Sequence, residues 1–464
     1  MAHVTSAPTI STVGELRASG HVQRTLREEI RANLLAALRE GRDPWPGLHG
    51  FDDTVIPQLE RALIAGHDVV LLGERGQGKT RLLRTMVGLL DEWTPVISGS
   101  ELGEHPFDPI THQSKAAAAT YGDDLRVSWR HRDERYAEKL ATPDTSVADL
   151  IGDVDPMKVA EGRSLGDPET IHFGLIPRSH RGIVAINELP DLAERIQVAM
   201  LNVMEERDIQ IRGYVLRLPL DVLVVASANP EDYTNRGRII TPLKDRFGAE
   251  IRTHYPSELE DEVAVIRQEA DLVADVPDAL IEVLARFTRQ LRESNAVDQR
   301  SGVSARFAIA GAETIAAAAL HRATVQGEDA VARVVDLETA VDVLGGKIEF
   351  ESGEEGREAE ILTHLLRTAT AETVRNHFRG LDFALLVEAI ENGAMVTTGE
   401  QVTARDFLTG LPVLGESELY DDVCERFGAR NDGERACAIE LALEGLYLAR
   451  KIGKDTDGTE TVYG

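Results

Sequence analysis

Gly73-Glu74-Arg75-Gly76-Gln77-Gly78-Lys79-Thr80 decides how the rest of this chain is read. The stretch matches G-x-x-x-x-G-K-[ST] at every fixed position, and each part of the pattern has a physical task. Glycines let the backbone curl so that successive N–H groups point inward at phosphate oxygens. A helix expected to begin at Lys79 turns its positive dipole end toward the same anion. Lys79 reaches the β- and γ-phosphates, and the Thr80 hydroxyl ligates Mg²⁺. Residues 73–80 are therefore the candidate ATP-binding loop. The flanks agree: His67–Leu72 reads as a buried strand and Arg81–Leu90 as an apolar helix. That strand–loop–helix context separates a phosphate cradle from a chance surface loop.

Outward from the loop, short apolar runs alternate with helical stretches between residues 48 and 255. Val69–Leu72, Pro95–Ile97, Ile183–Ile186 and Val222–Ala226 are rich in β-branched residues or leucine. Such runs suit strands buried on both faces of a parallel sheet, with crossover helices between them. The fold class expected is α/β. Residues 101–145 break the rhythm and read as an insertion. Ile209-Gln210-Ile211-Arg212 and Val215-Leu216-Arg217-Leu218 alternate around Gly213-Tyr214, a β-hairpin signal.

Three further segments carry candidate chemistry. Gly182-Ile183-Val184-Ala185-Ile186-Asn187-Glu188 is a buried strand ending in a polar pair. In P-loop ATPases such a strand tip meets Mg²⁺ and the attacking water. Glu188 is the candidate base that polarises the water. Asn187 stands where Asp is usual; its amide oxygen can accept from a Mg²⁺-bound water but brings no charge. Val222–Ala226 leads into Ser227-Ala228-Asn229-Pro230, where Asn229 is either part of a plain Asn-Pro turn or a contact between the γ-phosphate and water. In Thr241-Pro242-Leu243-Lys244-Asp245-Arg246-Phe247-Gly248, Arg246 is either a surface arginine paired with Asp245 or an arginine finger offered to a neighbouring subunit. Arg306 opens a later helix, as a surface charge or as a γ-phosphate contact.

Beyond Pro256 the pattern is helical, over 257–270, 277–294, 304–324, 331–344 and 436–452. Gly345-Gly346 and the acidic run 351–360 suggest a boundary. The organisation expected is an N-terminal helical segment (1–46), an α/β nucleotide-binding domain (47–255), a helical lid (256–350) and a C-terminal helical domain (351–464). The first 20 residues and the last dozen are expected to be loose. The Val22–Glu40 stretch reads as an amphipathic helix.

Composition limits the remaining choices. A net charge of −29 lowers the expectation of a nucleic-acid partner, which needs a basic footprint. Two cysteines, Cys424 and Cys437, lack metal spacing and make no disulfide framework. No apolar run approaches 18 residues, and the first residues do not read as a signal peptide. A soluble, cytoplasmic protein with no membrane contact is expected.

The order and spacing of these motifs resemble the ATPase I subunit of magnesium chelatase and its MoxR-type AAA+ relatives. The resemblance runs from about residue 48 to 310. It is carried by Ala141-Thr142-Pro143-Asp144, Asp149-Leu150-Ile151-Gly152, Gly174-Leu175-Ile176, Arg181-Gly182 leading to Glu188-Leu189, Ile209-Gln210-Ile211-Arg212, Ala228-Asn229-Pro230-Glu231 and Leu243-Lys244-Asp245-Arg246-Phe247-Gly248. It implies a P-loop AAA+ core with a parallel sheet, a helical lid, and ATP and Mg²⁺ as cofactors. Lys79 and Thr80 become the Walker A pair, Asn187 and Glu188 the Walker B positions, with Thr80 and Asn187 on the metal side. Asn229 becomes sensor 1, Arg246 the arginine finger and Arg306 sensor 2. The family implies a homo-oligomer in a hexameric ring and a partner bearing a von Willebrand A domain.

Asn187, the insertion and a C-terminal unit without counterpart set the chain apart from the porphyrin-metallating subunit. The function expected is a ring ATPase that remodels or activates a protein partner. The alternatives are the ATPase subunit of a genuine magnesium chelatase, an enhancer-binding transcriptional activator, and a nucleotide-regulated scaffold that does not hydrolyse. The activator would need a DNA-binding module, and no basic recognition helix is visible. Asn187 alone favours the scaffold.

Overall fold

The computed structural model describes residues 6–155, 157, 160, 170–206, 209–211, 214–216, 218–229, 238–298, 302–457 and 460–464, with backbone alone at 206, 209–211 and 214–216. The chain divides into two compact units, 1–255 and 256–464.

The first unit is built on five parallel strands: β1 (Val69–Leu72), β2 (Tyr136–Leu140), β3 (Gly182–Asn187), β4 (Val222–Ala228) and β5 (Ala249–Arg252). Their order across the sheet is β5-β1-β4-β3-β2. Every residue of β1, β3 and β4 is buried, as continuous apolar strands covered on both faces should be. Alternate residues feed two cores. Val70, Leu72, Val184 and Ile186 belong to one, and Val69, Leu71, Ile183 and Ala185 to the other. Because all five strands run the same way, their carboxyl ends share one edge.

Several expectations change. Trp93–Ile97 is not in this sheet; it pairs antiparallel with Val127–His131. Pro95 has no N–H to give a ladder, which disfavours the interior of a sheet. The true second strand, β2, lies inside the stretch read as an insertion. It escaped notice because an edge strand needs no continuous apolar run, and Tyr136-Ala137-Glu138-Lys139-Leu140 has none. β5 was also not anticipated.

The N-terminal segment is held from Ile10 onward, where Trp129 Nε1 donates to the Ile10 carbonyl at 2.8 Å. Thr12 caps the helix Val13–Ala18 with a reciprocal bond from Glu15, and Val13 and Leu16 are buried. The amphipathic helix runs Leu26–Glu40, starting four residues after Val22 because Thr25 and Glu28 form a capping box. It presents Leu26, Ile30 and Leu34 to one sheet core. The hairpin is present in backbone form as Ile209–Ile211 against Tyr214–Leu216. Asp208, Arg212, Gly213 and Arg217 lie outside the described residues.

The second unit is mostly helical. Leu259–Glu269, Asp278–Glu293, Ala305–Gln326, Val334–Leu344, Glu358–His377 and Asp432–Leu448 contribute to one hydrophobic core reaching from Ile266 to Tyr463. The stretch around 345–356 runs through this core, since Leu344, Ile348 and Leu362 all belong to it. The chain end is ordered, not frayed. Glu460–Tyr463 lies between Val396–Gly399 and Lys454–Asp457 as the middle of a three-stranded sheet. Tyr463 is fully buried and donates to Glu444 at 2.6 Å.

Candidate nucleotide site

The carboxyl edge of the sheet gathers the sequence motifs. β1 runs into the loop at Gly73, β4 into Asn229, β3 into Glu188 and β5 into Thr253. Neighbouring strands are roughly 4.8 Å apart, so Asn229 stands beside the loop and Glu188 one strand further. Leu72 faces Ala228 in register, and Gly73 N–H donates to Ala228 O at 3.1 Å, tying the loop to the strand that carries Asn229.

The loop has the shape its glycines were expected to allow. Gly76 and Gly78 take φ of 76° and 72°, where a side chain would be strained. At Gly73 the requirement is steric. A Cβ there would lie 1.9 Å from Thr253 Oγ1 and 2.3 Å from Gln77 Oε1. Those two atoms are bonded to each other at 3.0 Å, and Gln77 Oε1 also accepts from Glu74 N–H at 3.0 Å. The helix Lys79–Thr85 starts directly from the loop. Lys79 is 7 % exposed, and its ammonium donates to the carbonyls of Gly73 and, at 2.7 Å, Glu74. A buried ammonium on two loop carbonyls, inside a loop where a Cβ at Gly73 does not fit, is a donor set suited to phosphate.

Asn187, 8 % exposed, is held from both sides. Its Nδ2 donates to Glu138 on β2 at 2.8 Å, and its Oδ1 accepts from Ser227 Oγ on β4 at 3.1 Å. Ser227 Oγ in turn accepts the Glu188 N–H at 3.3 Å. Glu188 is half-buried, with φ of 55° and ψ of 49°. A non-glycine residue in the left-handed region is strained, and such strain gathers at functional positions. Glu138 also receives Arg84 Nε at 2.8 Å and Tyr136 O–H at 3.2 Å. The Arg84 hydrogen bonds hold its carboxyl below the usual range. Sequence reasoning did not single out Glu138, because a Glu in a polar stretch carries no signal until the strand beside it is known.

The remaining candidates are placed as follows. Asn229 is 5 % exposed; Pro230 and Glu231 of its motif lie outside the described residues. Arg246 ends the helix Thr241–Arg246 and bonds Glu205 at 2.5 Å, with Asp245 at 3.7 Å. Arg306 is exposed in the second unit, in the first turn of Ala305–Gln326, which Ser304 caps. Among the described residues no group of three or more His, Cys, Asp or Glu side chains could hold a metal ion, and no helix is long and apolar enough to cross a membrane.

No protein-family model matches the chain. The magnesium-chelatase 38 kDa subunit of Acidiphilium rubrum is 26 % identical over 242 residues, 51 % of this chain and 63 % of the relative. Magnesium-chelatase subunit ChlI of Anabaena variabilis is 24 % identical over 218 residues, 46 % of this chain and 60 % of the relative. The matches thus span less than two thirds of these relatives' own length. Among solved structures, a chain from a complex of magnesium-chelatase subunits BchI and BchD gives a TM-score of 0.36 at 20 % identity, covering 68 % of this chain and 98 % of that one. The branch-migration motor RuvB of Thermotoga maritima gives 0.36 at 12 %, covering 83 % and 85 %. The parallel sheet with the P-loop sequence at its edge and the sequence likeness together describe a chain that resembles the magnesium-chelatase ChlI and 38 kDa subunits.

Proposed function

We propose that this chain is an ATP-hydrolysing AAA+ motor subunit that works in a ring of its own copies, hexameric by resemblance, in the cytoplasm. It remodels or activates a protein partner, which the resemblance assigns to the von Willebrand A domain class. The observation that supports the reading best is the convergence on one sheet edge of the loop at 73–80, Asn187-Glu188 and Asn229.

Residues 73–80 would hold the phosphates of ATP, with Thr80 and Asn187 facing Mg²⁺. When bound, Mg²⁺ and ATP supply the electrophilic phosphoryl group and neutralise its charge. The chain's own residues then have separate tasks. The Lys79 ammonium exchanges the Gly73 and Glu74 carbonyls for phosphate oxygens. Glu188 takes a proton from water, a role worth about 10²–10⁴-fold in rate. The Asn229 amide, beside the loop, fixes that water against the phosphate. Arg246 leaves Glu205 to offer its guanidinium to a neighbouring copy, and Arg306 is assigned the same charge-balancing task from the second unit.

A test is Mg²⁺-dependent ATPase activity measured across protein concentration, beside Glu188→Gln and Arg246→Ala. Specific activity should rise with concentration and fall by about 10²-fold or more in each variant. Tight ATP binding without turnover in the wild type would give the lead to the scaffold. A genuine chelatase subunit has the same ATPase site, and the likeness to ChlI favours it as second reading. Reconstitution with chelatase partner subunits and a porphyrin distinguishes it.

A further inference from the structure

The strand tip at Asn187 lacks the carboxylate that a magnesium–nucleotide site uses, yet a carboxylate stands beside it. Leu140 faces Asn187 across the β2–β3 pair, and Glu138 faces Ala185. Side chains two apart on a strand share a face. Glu138 therefore rises on the same side as Asn187, and its Oε1 lies 2.8 Å from Asn187 Nδ2. A carboxylate only accepts, so the amide must turn its N–H₂ toward Glu138 and its oxygen away. That oxygen meets Ser227 Oγ, and Ser227 meets the Glu188 N–H. One line of hydrogen bonds crosses three strands, beginning at Glu138 and ending at the backbone of the proposed base.

A second observation reaches the same residue from the P-loop side. Arg84 donates to Glu138 through Nε at 2.8 Å and through its terminal nitrogen at 3.0 Å. Arg84 follows Thr80 by four residues in the helix Lys79–Thr85, which puts the two on one helix face. Glu138 is thus tethered to both proposed Mg²⁺-facing positions, directly to Asn187 and by one helical turn to Thr80. An Asp at 187 would place two carboxylates within hydrogen-bond distance, and like charges so close cannot both ionise freely. Asn187 and Glu138 form a complementary pair, one neutral and one charged.

We propose that Glu138 supplies, from the neighbouring strand, the negative charge that position 187 lacks, and acts through Asn187 as a positioning residue for Mg²⁺–nucleotide binding. The inference rests on the nucleotide-site reading. Loss of such an outer contact costs a metal site about 10–100-fold in affinity.

The test uses the full chain and a fluorescent ATP analogue, with affinity measured in Mg²⁺ and in EDTA. Wild type should bind more tightly in Mg²⁺. Glu138→Gln should lose that gain by about tenfold or more while keeping its EDTA affinity. Asn187→Asp combined with Glu138→Gln restores one carboxylate and one amide in exchanged positions, and should recover the gain. Arg84→Ala removes the ion pair but leaves the carboxylate, and should retain the gain. If Glu138→Gln keeps the full gain, or Arg84→Ala loses as much as Glu138→Gln, the carboxylate is only an ion-pair partner and the proposal fails. If Glu138→Gln does not fold, as judged by thermal melting, the exchanged double variant and Arg84→Ala decide by the same criteria. Wild type that binds no nucleotide in either buffer overturns the site reading itself, and the proposal with it.

Discussion

The two ends of the central sheet handle charge in opposite ways. At the amino ends, four strands are each preceded by a charged residue: Asp68, Arg135, Arg181 and Asp221. Three of these are tied to the helix Leu26–Glu40. Arg135 meets Glu29 through two bonds of 2.7 Å, with both side chains almost fully buried. Asp68 accepts Arg27 at 2.8 Å, and Asp221 accepts the Leu26 N–H at 2.6 Å. At the carboxyl ends, Lys79 spends its bonds on backbone carbonyls of its own loop. In the proposed function those carbonyls are exchanged for a phosphate, whereas the Glu29 carboxylate has no replacement. One end is closed electrostatics and the other is open, although one set of strands carries both.

The comparison predicts which end answers to which change. Breaking the closed end has the largest effect on stability. Glu29→Ala leaves the Arg135 guanidinium buried without its carboxylate, and the expected loss is about 3–5 kcal/mol in chemical denaturation. The nucleotide affinity of the protein that remains folded should be unchanged. Breaking the open end reverses the pattern. Lys79→Ala should weaken ATP binding on the order of 100-fold, about 3 kcal/mol, with a melting temperature close to wild type. If Lys79→Ala also costs several kcal/mol of stability, the distinction between the ends fails.

The smallest expected effect is a pH response, and it belongs to the closed end. His180 is buried, and burial pulls its pKa down to about 4 from the ordinary 6.5. Its Nδ1 accepts the Asp221 N–H at 3.1 Å, as the neutral ring can. Above pH 6.5 neither folded nor unfolded chain holds the proton, and stability is complete. As pH falls from 6.5 toward 4, the unfolded chain binds the proton first and stability is lost. By pH 5 the contribution is about 2 kcal/mol. Urea titrations at pH 7 and pH 5 should differ by that much more in wild type than in His180→Gln.

The open end was the more legible in sequence. Loop, strand tip and Asn229 are each read from a few contiguous residues, because a phosphate cradle needs glycines at fixed spacing and a strand to deliver it. Continuous apolar strands announced β1, β3 and β4 for the same reason. What escaped depends on contacts between distant residues. Tyr136–Leu140 is a strand because β3 lies beside it, and nothing in its own pattern requires that. Pro95–Ile97 looked right for the sheet but contains a residue with no donor for a ladder. The last residues read as polar, yet Tyr463 is buried because Glu444 and the strand Val396–Gly399 lie beside it. Arg135–Glu29, separated by 106 positions, leaves no mark on either local pattern.

Tyr255 gives the loop a mechanical outlet. It is the last residue of the first unit, and its hydroxyl donates to the Arg75 carbonyl at 2.8 Å. Two residues earlier, Thr253 grips Gln77 of the same loop. The chain therefore leaves this unit while stitched to the loop at one backbone carbonyl and one side chain. If the Arg75 carbonyl swings, Tyr255 must either follow or let go. A loop of eight residues thus holds the thread by which the next 209 residues are attached.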